Sequence, residues 1–270
     1  MSSTNEASPR DLTATVHPTA CIEDGAILGS GVSVGAFAFI GSEVQLAGGV
    51  EVGPHATLMG RMRVGADCRI FPHAVLGGEP QDTEFAGEET SLEIGARTVL
   101  REHVTVNIGT ARGGGCTRLG EDNYLMNGAH VGHDCQVGNH TIISPFCGLG
   151  GHTAVGDYAV LGAYTGLHQH ARVGESVMVA GGAKVSQDAP PFTMVAGDRA
   201  KIVGLNSVGL RRRGFTVKTR REIKHAFHLI FQSKLPLEEA LARIDDEIGA
   251  VPEVERLVTF LRKTERGFCR

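Results

Sequence analysis

The 270-residue sequence contains no tryptophan, and aromatic residues make up only 5% of it. A core built on large rings is excluded, and a nucleic-acid surface that stacks bases on aromatic side chains is disfavoured. No apolar run approaches the roughly 20 residues needed to cross a bilayer. The opening Met-Ser-Ser-Thr-Asn-Glu-Ala-Ser-Pro-Arg lacks the apolar centre of a secretory leader. Neither a transmembrane segment nor a leader is expected, and the chain reads as soluble and cytoplasmic. Six cysteines (Cys21, Cys68, Cys116, Cys135, Cys147 and Cys269) make no Cys-x-x-Cys pair and no zinc spacing. They read as small packing residues in a reducing compartment. Net charge is −4, so the chain is acidic overall.

What is abundant is glycine, 37 residues, and it comes with a period. Positions 16, 22, 28, 34, 40, 46, 52, 58, 64, 70 and 76 are all Val, Ile or Leu. The series returns at Ile94, Leu100 and Val106, and runs on from Leu119 in steps of six to Val185. A second apolar series of smaller residues follows four positions later, as at Ala20, Ala26, Val32 and Ala38. Large and small inward residues in alternation suit short strands joined by tight corners, so the chain is a mainly β hexapeptide-repeat solenoid. The expected organisation is a polar tail over 1–14, a parallel β-helix over 15–192 and a C-terminal α-helical domain over 193–270. Three apolar stripes predict the helices: Ile223, Phe227, Ile230 and Phe231, then Leu237 to Ile248 after Pro236, then Leu257 to Leu261 after Pro252. They would cap the open end of the solenoid.

Two insertions break the period, an acidic one at 77–92 and a glycine-rich one at 107–118. Loops that leave a regular coil carry function more often than the coil does. The run Gly113–Gly115 reads as a flexible loop rather than a phosphate cradle, because no helix pattern follows it.

Between 128 and 139 the repeat reads Gly-Ala-His-Val-Gly-His-Asp-Cys-Gln-Val-Gly-Asn. With three hexads per turn, residues 18 apart stack about 4.8 Å from one another. That register puts His133, Gly151 and Gln169 in one column and Asp134, His152 and His170 in the next, with His130 and His168 nearby. The cluster would sit on an outward corner, as a site on a rigid wall. Taken singly, each residue has a plain reading: a solvated His, an Asp that suits a turn, a Gly that suits a corner. Taken together, they supply an imidazole base oriented by a carboxylate and a backbone N–H one coil away for an oxyanion. That is the scale of acyl transfer. No Ser or Cys is placed to form a covalent intermediate, so direct transfer is preferred.

The motifs Pro80-Gln81-Asp82, Phe85-Ala86-Gly87-Glu88, Ala129-His130-Val131-Gly132-His133-Asp134-Cys135, His168-Gln169, Gln187-Asp188-Ala189-Pro190-Pro191 and Gly209-Leu210-Arg211-Arg212-Arg213-Gly214-Phe215 occur in that order. In this the chain resembles the acyl-carrier-protein:UDP-N-acetylglucosamine O-acyltransferases that open lipid A biosynthesis. The resemblance implies a left-handed parallel β-helix, an exception to right-handed crossovers. It also implies a homotrimer with sites between subunits, and no cofactor or metal. It makes His133 the general base, Asp134 its partner and the Gly151 N–H the oxyanion donor. Gln81 and Asp82 would reach the acyl and sugar groups, and His130, His152, His168 and Gln169 would line the nucleotide-sugar path. Asn206, Arg212 and Arg213 would hold the uridine diphosphate, and Gly181 would end the acyl channel. Acyl carrier protein and UDP-N-acetylglucosamine are the implied partners. Residues 199–224, with nine Lys or Arg against Glu222, suit a pyrophosphate and an acidic carrier.

Three positions depart from commoner family residues: Glu84 for lysine, Asn107 for histidine, and Val208 for a carboxylate. An added anion at 84 would favour a 3-amino acceptor modestly over the ordinary 3-hydroxyl one. Acyl length stays open. Two rival readings are a zinc hydratase using His130, His133 and His152, and a non-catalytic trimeric scaffold.

Overall fold

The structure, a computed structural model, describes residues 13–270. The expected polar tail therefore lies, but for residues 13 and 14, outside the described residues. Thr13 and Ala14 already join the first coil: the Thr13 hydroxyl accepts from the Gly31 N–H at 2.9 Å, and Ala14 packs on the core.

The chain winds as a three-sided parallel β-helix. Short strands, mostly of two residues, fall in turn on three sheets of eleven, nine and eight strands among the described residues. The register follows the hexads. Val16 pairs with Val34, Val34 with Val52 and Val52 with Ile70, each the stacked residue of the next coil. The large aliphatics at 28, 40, 46, 58, 70, 76 and 100 are all at most 2% exposed, as are Ala26, Val32, Ala38 and Ala56 of the smaller series. Alternating sizes let the prism fill at near-crystalline density, so truncating Leu100 to Ala should cost about 2–5 kcal/mol.

Most corners carry a residue in the left-handed region, and many of these are not glycine. Phe37, His55, His73 and His103 hold φ of 57–62°. Their rings stack in a column 5.0–5.1 Å apart, so side-chain contact offsets part of the backbone cost at that edge.

Both insertions leave the second sheet and return to the third. The first connects Val75–Gly78 to Ser91–Ile94, and the second connects Thr105–Asn107 to Cys116–Leu119. They are neighbours on adjacent coils, directly before the corner that carries His133.

The sheet runs past 192. Thr193–Ala196 pairs in parallel with Met178–Val179, and Lys201–Leu205 turns back antiparallel as the edge strand. Only then do the helices begin: α1 (Ser207–Arg212), α2 (Val217–Phe231), α3 (Leu237–Glu247) and α4 (Pro252–Arg262). Thr216 caps α2, its hydroxyl accepting from the Thr219 N–H at 3.0 Å. Pro236 is the N-cap of α3 rather than a first-turn residue. The apolar stripes meet in a second core with Phe192, Leu210 and Phe268. Buried Asp188 ties this cap to the last coil: it accepts from Arg172 Nε at 2.8 Å and from the Thr264 hydroxyl at 2.8 Å. No helix among the described residues is long and apolar enough to cross a membrane.

Candidate active site

The corner between strands His130–Val131 and Gln136–Val137 places His133 and Asp134 side by side, with Asp134 at φ 60°. The next coils stack above it: the His152 N–H donates to the His133 carbonyl at 2.9 Å, and the His170 N–H to the Gly151 carbonyl at 3.1 Å. His133, Gly151 and Gln169 therefore share a column, as their spacing requires.

His133 Nδ1 lies 2.7 Å from Asp134 Oδ2. Asp134 also accepts from the Thr110 N–H and the Thr110 hydroxyl, each at 2.8 Å. Its own N–H donates to the Thr117 hydroxyl at 2.8 Å. With both carboxylate oxygens accepting from Thr110, Nδ1 is the natural donor in the shared hydrogen bond, which turns Nε2 away from Asp134. This Nε2 points at Gly151: a Cβ built on Gly151 would fall 2.5 Å from it. Gly151 is thus held to glycine by contact with the imidazole. Its N–H donates to no acceptor among the described residues.

The corner is not the open wall that its outward position suggested. His133 is 5% and Asp134 4% exposed. The second insertion folds back over them, with Thr110 bonded to the carboxylate. Gly113 packs so closely on Asp134 that any side chain there would strike its carboxyl group. Gly113 is therefore fitted over the pair, whereas Gly114 and Gly115 face open space, with the Gly115 N–H donating to the Thr110 carbonyl at 2.9 Å.

Two histidines border the pair. His152 Nε2 is 3.7 Å from Asp134 Oδ2, and its ring meets His133 edge-on at 5.0 Å. His130 Nδ1 bonds the Thr105 hydroxyl at 2.8 Å. Burial holds both below the usual histidine range, aided for His130 by the nearby His133. Neutral imidazoles can accept and donate without adding charge.

Asp82 reaches the cluster from the first insertion and acts electrostatically on His152. Arg112 crosses from the second insertion to pair with Asp82 at 2.8 Å and with Glu84. Gln81, on the same loop, is exposed. His168 and Gln169 are exposed one coil beyond Gly151; His168 Nδ1 bonds the Gln169 carbonyl at 3.0 Å and touches neither His130 nor His133. Asn107 donates to the Glu79 carbonyl at 2.7 Å, pinning the root of the first loop.

The remaining candidates lie on other edges. Asn206 caps α1, accepting from the Gly209 N–H at 3.0 Å and donating to the Ser176 carbonyl at 2.8 Å. Arg213 pairs with Glu175 at 2.9 Å and lies over the Tyr158 ring at 3.7 Å. These contacts mark the edge between the third and first sheets. Arg212 is exposed, and its side chain makes no hydrogen bond or ion pair among the described residues. Gly181 is exposed on the third edge, between Met178–Val179 and Lys184–Val185. One chain therefore does not bring all the candidates together.

Thr110, Thr117 and Arg112 were not foreseen from sequence. A Thr in a glycine-rich insertion gives no periodic signal, although the place of Thr110 three residues before Gly113 suits a tight loop. Cys135 adjoins Asp134 in sequence but faces the core, bonding the Gly150 carbonyl at 3.3 Å. Burial pushes its thiol up to about 11, which disqualifies it as a nucleophile. Donor atoms of His133, Asp134 and His152 all lie within 4.8 Å of one another. They make a poor metal set, because both Asp134 oxygens already hold hydrogen-bond donors.

Residues 188–269 match the family described as UDP N-acetylglucosamine O-acyltransferase, Domain 2, and residues 116–151 match six bacterial transferase hexapeptide repeats. An acyl-(acyl-carrier-protein)–UDP-N-acetylglucosamine O-acyltransferase from Herminiimonas arsenicoxydans is 42% identical over 94% of this chain and 99% of its own. The chain belongs to the UDP-N-acetylglucosamine O-acyltransferase family. Among solved structures of that family, the UDP-N-acetylglucosamine acyltransferase from Campylobacter jejuni superposes with a TM-score of 0.89 at 35% identity, covering 94% of this chain and 99% of that one. The Bacteroides fragilis acyltransferase gives 0.87 at 38%, covering 96% and 99%. The protein is an acyltransferase, and the solenoid, the buried His–Asp pair and the capped C-terminus are this family's chain as it folds here.

Proposed function

We propose that the protein transfers a 3-hydroxyacyl chain from acyl carrier protein to the 3-hydroxyl of UDP-N-acetylglucosamine, the first step of lipid A biosynthesis. The observation that carries the mechanism is the His133 Nε2 lying against Gly151, whose N–H is unspent. The sugar hydroxyl gives its proton to Nε2, and its oxygen attacks the thioester carbon. The carbonyl oxygen gains the negative charge and is stabilised by the Gly151 N–H. Collapse breaks the carbon–sulfur bond, and the imidazolium returns the proton to the departing thiol. Asp134 stabilises the imidazolium throughout without taking the proton.

A homotrimer accounts for the spread of the other residues. His133, Arg213 and Gly181 sit on three different edges of a stiff prism, so they meet only when copies pack side by side. In that assembly Asp82 and Gln81 would meet the sugar and acyl groups, and His130, His152, His168 and Gln169 would flank the nucleotide-sugar path. Arg212 is free to bind phosphate. Asn206 and Arg213 would join it at the uridine diphosphate, since beside their bonds to Ser176 and Glu175 each keeps N–H donors: one on Asn206 Nδ2, and those on Arg213 Nε and Nη2. Gly181 of a neighbouring face would bound the acyl chain. The basic stretch 199–224 suits an acidic carrier, and a cytoplasmic location follows from both soluble substrates.

Mass spectrometry of the sugar nucleotide, after incubation with a panel of acyl carriers, tests the reading. One acyl group on the 3-oxygen is the expected product. Hydrolysed thioester with an unmodified sugar would overturn it.

A further inference from the structure

We infer that Thr110 is a positioning residue of the acyl transfer, locking the Asp134 carboxylate so that His133 keeps its proton on Nδ1 and presents a bare Nε2 toward Gly151. The inference rests on the mechanism proposed above. Thr110 is 3% exposed and belongs to the second insertion, which the coil does not need. Its N–H binds Asp134 Oδ1 and its hydroxyl binds Oδ2, each at 2.8 Å. The hydroxyl has one proton to give, and one of its lone pairs accepts from the Gly113 N–H at 3.1 Å, which the Thr110 carbonyl shares at 3.1 Å. That arrangement aims the proton at Oδ2.

The lock has an alternative to exclude. Two imidazoles approach Oδ2, His133 Nδ1 at 2.7 Å and His152 Nε2 at 3.7 Å. A carboxylate free to turn at an open corner could serve either ring or leave both for water. Bidentate anchoring by one residue fixes the plane of the carboxylate, and that plane points one oxygen at His133. The titratable groups facing the pair are His130 and His152, then His170 and Asp82 beyond His152, with the Cys135 thiol behind in the core.

Thr110→Val keeps the shape and the backbone N–H but removes the hydroxyl. A lost charge-assisted hydrogen bond should lower kcat about 10- to 100-fold, with KM for the sugar nucleotide nearly unchanged. With one donor fewer, Asp134 becomes a stronger acceptor for the His133 proton. The acid limb of the kcat/KM profile should therefore move to higher pH. Thr110→Ser should restore both rate and limb. Nitrogen-15 shifts of the His133 ring in the wild-type protein read the tautomer directly and do not depend on any variant folding: Nδ1 should carry the proton. Thr110→Val with wild-type kcat and pH profile, or a wild-type ring protonated on Nε2 with Nδ1 bare, overturns the proposal. If His133→Ala proves fully active in the same assay, the general-base mechanism itself fails; an inactive His133→Ala beside a wild-type Thr110→Val removes only the role of Thr110.

Discussion

Gly151 and His133 are fitted to each other across one coil of the solenoid: a single methyl group on Gly151 would come within 2.5 Å of the His133 Nε2. The backbone of Gly151 is not in the left-handed region, so its lack of a side chain serves the contact rather than the turn. Gly151→Ala should therefore fold as a normal solenoid, within about 1 kcal/mol of wild type, while pushing the imidazole aside. The expected loss in kcat is about 10²-fold, the scale of a misplaced reacting group. Thermal melting together with steady-state kinetics checks it, and a loss of fold matched to the loss of rate would contradict it.

The neutral histidines set a pH dependence for stability. Burial depresses the folded pKa of His130 and His152 below the unfolded value of about 6.5. Between those values the unfolded chain binds protons that the folded chain refuses. Stability is fully present above about pH 6.5 and falls as pH drops toward the depressed values. Melting temperatures from pH 8 to 5 should decline below 6.5, and His130→Gln with His152→Gln should flatten the decline. An unchanged slope in the double variant would contradict this origin.

Arg112 changes what Glu84 can do. An unpaired Glu84 would favour a 3-amino acceptor, but Arg112 pairs with both Glu84 and Asp82. The carboxylate's field is largely cancelled, and the pair is exposed enough to be worth under about 1 kcal/mol in any case. Competition between 3-amino and 3-hydroxyl UDP-sugars should give a ratio within about twofold for wild type and Glu84→Gln. Arg112→Gln should shift it toward the amine. A ratio that changes with Glu84→Gln and not with Arg112→Gln would sink this account.

A Cβ at exposed Gly181 would meet the Ala163 carbonyl oxygen at 3.2 Å and the Ala163 N at 3.8 Å, a tight fit that a small backbone shift would relieve. Gly181→Met should fold and should prefer an acyl chain several carbons shorter, at about 0.8 kcal/mol per methylene left unburied. Rates across an acyl series measure it. The same rank order in both proteins would show that Gly181 does not set chain length.

The coil was legible because its period is written in single residues: a Leu, Ile or Val every six positions has no other use. The stacking of His133 on Gly151 followed from that register, and the helical stripes from theirs. What the sequence did not reveal was depth. The corner at His133 is buried because a glycine-rich insertion lies over it, and no periodicity says where an aperiodic loop will settle. The pairing of Arg112 with Glu84 was hidden for the same reason, since the two residues belong to different insertions. Asn206 and Arg213 looked alike as phosphate ligands beside Arg212. Only the folded chain shows that they also bind Ser176 and Glu175. The strands after 192 were hidden too, because their apolar residues no longer keep to the hexad.

The central claim is that His133 Nε2 takes the proton of the attacking hydroxyl, and single-turnover acyl transfer by His133→Ala measures it most directly. The variant should keep its fold and oligomeric state, since the ring lies outside the apolar core, with a melting temperature lowered only by the loss of the buried bond to Asp134, about 1–3 kcal/mol. Its rate should fall about 10²–10⁴-fold while the sugar nucleotide still binds. A folded His133→Ala assembly that transfers acyl chains at the wild-type rate would contradict the account.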